Sequence, residues 1–113
     1  MDKKQNNYPT VTPQQFEEAK AKYGTVKVFE LQDSDGKSFG EVIMKRPSPN
    51  AIAEFEKWID KNSLKARMAL VNGCLVSREE EIKAWEKNTE EYAAAFDAAA
   101  NMIPVGKAIA KKI

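Results

Sequence analysis

Apolar positions change their spacing several times along the chain, and each change marks an element. Residues 1–12 are polar for most of their length and are expected to form a flexible extension. At its end, Val11-Thr12-Pro13-Gln14-Gln15-Phe16 spells a helix start. Thr12 is a good N-cap, Pro13 suits the first helical position, and Gln15 stands where a capping box needs it. Val11 and Phe16 match the two sides of a hydrophobic staple. Phe16, Ala19 and Tyr23 then share a face, and Gly24 offers a stop at positive φ. Thr25–Leu31 and Phe39–Lys45 are rich in β-branched and aromatic residues, with Asp35-Gly36 as a turn between them. They predict a β-hairpin, which must pack on helices or pair with another chain, since two strands alone are marginal in water.

Helical spacing returns after Pro47-Ser48-Pro49, where Ser48 can cap a helix that opens at Pro49. Ile52, Phe55 and Ile59 form one stripe, with Trp58 beside it. Ser63 is expected to cap a further helix with the stripe Leu64, Met68 and Val71, closed by Asn72-Gly73. Ser77-Arg78-Glu79-Glu80 has the form of a second capping box, opening a helix with Ile82 and Trp85. Asn88-Thr89 separates it from an alanine-rich helix carrying Tyr92, Phe96, Ala99 and Ile103, which Pro104 should end. The reading is one α+β domain over 13–104: an N-terminal helix and β-hairpin, then a mainly helical C-terminal half. A basic amphipathic tail follows over 105–113.

Composition narrows the chemistry. At 113 residues the chain has room for one modest core. Lys and Arg number 18 against 17 acids, a net charge of +1 that exerts no bulk pull on nucleic acid or anionic lipid. There is no His and a single Cys, Cys74. The absence of His removes the Ser-His-Asp and Cys-His nucleophile systems, and one Cys removes Cys/His zinc sites and an intrachain disulfide. No apolar run is long enough to span a membrane, and an intracellular, cytoplasmic location is expected.

Each candidate for chemistry has a plainer reading. Asp33-x-Asp35-Gly36 resembles a calcium loop only until Gly36 is set at loop position six, which puts Leu31 and Val42 where carboxylates belong. Gly106-Lys107 lacks both the upstream glycine and the following hydroxyl of a phosphate loop. Glu79, Glu80, Glu81, Glu86, Glu90 and Glu91 are expected on solvated helix faces, and Cys74 as a small buried hydrophobe. No catalytic residue, metal or cofactor is expected.

Charge is unevenly placed. Ser77–Asp97 holds seven acids and three bases, whereas Ala98–Ile113 holds Lys107, Lys111 and Lys112 and no acid. Such asymmetry could align copies head to tail or let the tail fold back on its own acidic helices, although helix-dipole complementarity and solubility also account for it. Phe96, Ile103, Val105, Ile109 and Ile113, with those three lysines, are the candidate partner-binding residues. The segment from Phe96 onward is expected to support self-association or client binding and to add little to the core.

The order of elements carries a resemblance. A short helix ends in Lys22-Tyr23-Gly24. The hairpin Val26–Leu31 and Gly40–Met44 follows, and Lys45-Arg46-Pro47-Ser48 leads into a helical half carrying Leu70-Val71-Asn72-Gly73-Cys74-Leu75-Val76 and an acidic helix start. Over Gln14 to Ile103 this resembles the small tail-assembly chaperones of tailed bacteriophages and prophages. The resemblance implies a non-enzymatic assembly factor that binds the long helical tape-measure protein and often self-associates, with no family catalytic residue to carry over. The charge balance and the lack of an apolar span already exclude a nucleic-acid or membrane partner from the expectation. The polar N-terminal extension, the basic tail, and Ser77-Arg78 where relatives often show Gly-Asp depart from the pattern. Those departures leave open another small phage interaction module, such as a virion component or an inhibitor of host defence.

Overall fold

The computed structural model describes residues 9–84, 86–104, 108 and 110–112. It is an α+β fold with the order α1 (Pro13–Tyr23), β1 (Val26–Gln32), β2 (Ser38–Lys45), α2 (Pro49–Trp58), α3 (Ser63–Cys74), α4 (Glu79–Lys83) and α5 (Thr89–Ala100). The start of α1 forms as its sequence dictates. The Gln15 N–H donates to Thr12 Oγ1 at 3.1 Å, and the Thr12 N–H donates to Gln15 Oε1 at 2.9 Å. Val11 and Phe16 both pack onto Ala19, Val26 and Ile43, a small cluster under α1.

β1 and β2 pair antiparallel, Val26 opposite Lys45 through Leu31 opposite Gly40, with an irregularity at Leu31/Gln32. The turn is held by Asp33, whose Oδ1 accepts from the N–H groups of Asp35 and Lys37 at 2.9 Å each. Val42, Ile43 and Met44 are all buried, because β2 is covered on both faces. Ile43 faces α1, while Val42 and Met44 join the main core with Leu31, Leu70, Val71, Tyr92 and Ala99.

The outer edge of β2 is also occupied, which the sequence did not announce. Leu75 forms an antiparallel bridge with Met44, and the Val76 N–H donates to the Ile43 carbonyl at 2.9 Å. Ser77 Oγ accepts the Ile43 N–H at 3.0 Å. Ser77 is therefore not the cap of α4, and the second capping box does not form. The residue at that cap position is Arg78, in the left-handed region at φ 55, with no side-chain cap bond. Further along the same edge, the Glu41 N–H donates to the Pro9 carbonyl at 2.9 Å and the Val11 N–H to Glu41 Oε1 at 2.7 Å. The stretch 9–11, expected within a flexible extension, is thus tied to the sheet. Gly40 permits it: at φ +102, a Cβ there would stand 2.7 Å from Pro9 Cδ.

Two readings of α3 are corrected. Its cap is Asn62, whose Oδ1 accepts from Lys65 N–H at 3.1 Å, and Ser63 is its first residue. The helix also runs through Asn72-Gly73 to Cys74. Gly73 is a packing residue, because a Cβ on it would lie 2.6 Å from Ala51 Cβ on α2. The buried face is Ala66, Leu70, Val71 and Cys74, whereas Leu64 is half-buried and Met68 is 36% exposed. With Ala66 and Cys74 as apolar as a core needs, contact with β2 and α5 fixed the rotation. α5 opens as expected at Asn88, whose Oδ1 accepts the Glu91 N–H at 3.2 Å. Its alanines bring its backbone close: Ala95, Ala98 and Ala99 are buried with Tyr92.

Candidate functional site

Of the expected partner-binding residues, the structure describes Phe96, Ile103, Lys111 and Lys112. Phe96 is half-buried on the main core, its ring centroid 6.1 Å from that of Phe55 and 5.6 Å from the guanidinium carbon of Arg67. Ile103 also packs against the core, next to buried Met102. The expectation that the segment from Phe96 adds little to the core therefore fails for 96–103, because α5 supplies one wall of that core. Lys111 and Lys112 are exposed. Val105, Lys107, Ile109 and Ile113 lie outside the described residues, as does Trp85.

An accessible apolar surface lies instead on α2 and α3. Ser48 Oγ caps α2 through the Ala51 N–H at 3.1 Å, and the helix is amphipathic, yet it contains no buried residue. Phe55 reaches the core only in part, Ile52 and Trp58 are half-buried, and Ile59 is 46% exposed just past the helix end. The stripe is therefore only partly covered, and Ile59 beyond α2 with Met68 on α3 are the large apolar side chains here that stand most open. Trp58 is flanked by Lys57 and Lys65, whose Nζ atoms stand 5.3 and 4.3 Å from its ring centroid. The sequence pattern marked the stripe correctly; that it is only partly covered could not be read without the packing.

A second feature was missed in sequence. Glu91, expected on a solvated face, is buried, and its Oε2 accepts from Arg78 Nη2 at 2.7 Å. Arg78 Nε also donates to Glu81 Oε1 at 2.9 Å. The three join the strap after α3 to α4 and α5. Burial works against the charge of Arg78, but its bonds to Glu81 and Glu91 outweigh that and raise its pKa above the ordinary value. The Arg78 hydrogen bond holds Glu81 below the usual carboxylate range. Arg78 Nη1 is buried without a partner among the described residues. A cleft of about 820 Å³, lined by Arg78, Glu79, Glu80, Glu81, Lys87 and Glu91 among others, opens beside this network. Its signal was present: 91, 95, 98 and 102 share a helical face, one position behind the stripe through Tyr92.

Cys74 is fully buried, its thiol 3.8 Å from the Ala99 carbonyl oxygen. Burial pushes its pKa up to about 11, against a smaller opposing effect of Lys45. A nucleophilic thiol needs the reverse. Among the described residues no group of three His, Cys, Asp or Glu is placed to hold a metal, and no helix is long and apolar enough to cross a membrane.

No family model and no curated protein matches the chain. A solved structure, that of an uncharacterised protein from Bacillus stearothermophilus, is similar at 24% identity, covering 86% of this chain and 99% of that one, with a TM-score of 0.57. The likeness is one of fold.

Proposed function

We propose that this protein is a non-enzymatic tail-assembly chaperone that holds the helical tape-measure protein of a phage tail in the bacterial cytoplasm. The observation that carries the reading is the partly covered apolar stripe of α2, with Ile59 exposed just past it and Met68 exposed on α3. A tape-measure chain exposes long apolar helical faces before tail subunits enclose it. Covering such faces requires an amphipathic surface and no chemistry. Ile52, Phe55, Trp58 and Ile59 supply that surface, and Met68 on α3 offers a further adaptable apolar group. Lys57 and Lys65 beside Trp58 provide a polar rim that would orient a client helix.

Co-expression with a tape-measure fragment tests it. The fragment should stay in solution and co-purify with this chain, and Ile59→Glu combined with Met68→Glu should abolish capture with the circular dichroism spectrum unchanged. Both residues are already exposed, so the substitutions bury no charge. Failure of the wild-type chain to retain any tape-measure fragment, or capture unaffected by the double substitution, overturns the proposal.

A further inference from the structure

Among the described residues, one edge of the hairpin has no strand partner. Ile43 and Glu41 bond outward, to Val76, Ser77 and Pro9, so their cross-strand partners Val28 and Glu30 also point their N–H and C=O groups away from β2. Among the described residues the sheet has two strands, so those groups meet no further strand there. Val28 is 39% exposed on that edge, and β1 carries no Pro to blunt it. Free edges of this kind template the addition of an extended segment.

Beside the edge, β1 and α5 form a groove of about 320 Å³. Its floor includes Phe29, Leu31 and Ala98, and Glu30, Asp33 and Asp97 make its polar lining acidic. The opposite end of β1 is basic, with Lys27 and Arg46 lining a cleft with Ile103 and Pro104. The sequence after Pro104, Val-Gly-Lys-Ala-Ile-Ala-Lys-Lys-Ile, combines small or apolar residues with three lysines and has no acid. Nine extended residues span about 30 Å, enough to cover a seven-residue strand at about 3.3 Å per residue.

We propose that the segment 105–113 of one copy adds as a strand to the free β1 edge of a second copy, over the acidic groove between β1 and α5. Running parallel to β1, it brings Lys111 and Lys112 beside Glu30, Asp33 and Asp97 and keeps them away from Lys27 and Arg46. The occupant is a second copy because Ala108, Ala110, Lys111 and Lys112 are all exposed on their own chain. The proposal stands apart from the chaperone reading, since it needs no client.

Light scattering on the full chain tests it. Wild type should associate in a concentration-dependent way and lose association as salt rises above physiological strength, where screening acts within about 8 Å. Lys111→Glu with Lys112→Glu, and separately Glu30→Lys with Asp97→Lys, should each weaken association at least tenfold. In the first variant tail and groove are both acidic, in the second both basic, so an equimolar mixture should associate again as a mixed complex. If the second variant fails to fold, Val28→Pro removes an outward N–H from the same edge and should weaken association likewise. A wild-type chain that stays monomeric, as it would if the tail docked on its own edge, overturns the proposal. So does a mixture of folded variants that fails to associate, or association that survives the substitutions.

Discussion

Gly73→Ala should destabilise the protein, although alanine is the better helix former. In a helix interior the exchange is worth about 1 kcal/mol in favour of Ala, and somewhat less in a last turn such as this. Here the new methyl would lie 2.6 Å from Ala51 Cβ, about 1 Å inside ordinary van der Waals contact. Either α2 moves off α3 or both helices strain, and such overpacking typically costs about 1–3 kcal/mol. The net expectation is a loss of about 1 kcal/mol. In an Ala51→Gly background the clashing methyl is gone, so the same Gly73→Ala change should instead stabilise by about 0.5–1 kcal/mol. The two effects differ by about 1.5–2 kcal/mol, within the range of coupling seen for touching residues. Denaturant unfolding of the four proteins, followed by circular dichroism, measures that coupling directly. Additivity within about 0.5 kcal/mol, or a stabilised single mutant, would refute the role of Gly73 as the contact point of α2 and α3. If Gly73 were a helix stop at positive φ, alanine would cost the same in both backgrounds.

Ser77→Ala should cost about 1–3 kcal/mol by leaving the Ile43 N–H without its acceptor; amide exchange at Ile43 should accelerate, whereas a mere capping role would leave that amide protected. Glu91→Gln should destabilise on the order of 3 kcal/mol, since the largely buried Arg78 guanidinium loses one of its two carboxylates; Glu81→Gln, at an exposed carboxylate, should cost under about 1 kcal/mol. Thermal unfolding of both variants gives the comparison, and equal losses would contradict the burial difference. Cys74 should resist iodoacetamide at pH 8 until the protein unfolds. Its folded pKa is raised from 9.0 to about 11, so the stability its neutral thiol contributes is complete below about pH 9 and is lost as pH rises through about 11. The midpoint of thermal unfolding should fall over that window, and Cys74→Ala should flatten the fall; a native thiol that labels readily would sink this.

Local chemistry was legible wherever the partners are close in sequence. Thr12, Pro13 and Gln15 determine the start of α1, Ser48 and Pro49 that of α2, and Asp33 to Gly36 the hairpin turn, because each bond closes within about four residues. Spacing likewise determined the α+β order and the amphipathic stripe of α2. Sequence alone could not decide which way α3 turns, because apolar residues stand on more than one of its faces and β2 and α5 choose among them. Nor could it show that Ser77 serves β2 across 34 positions, or that Arg78 meets Glu91 across 13. Gly73 has the same local sequence as a helix stop; only the arrival of Ala51 makes it a point of close packing. Partners far apart along the chain leave no periodic trace, so the covered edge of β2, the edge of β1 left open among the described residues and the partly covered stripe of α2 were decided by tertiary packing.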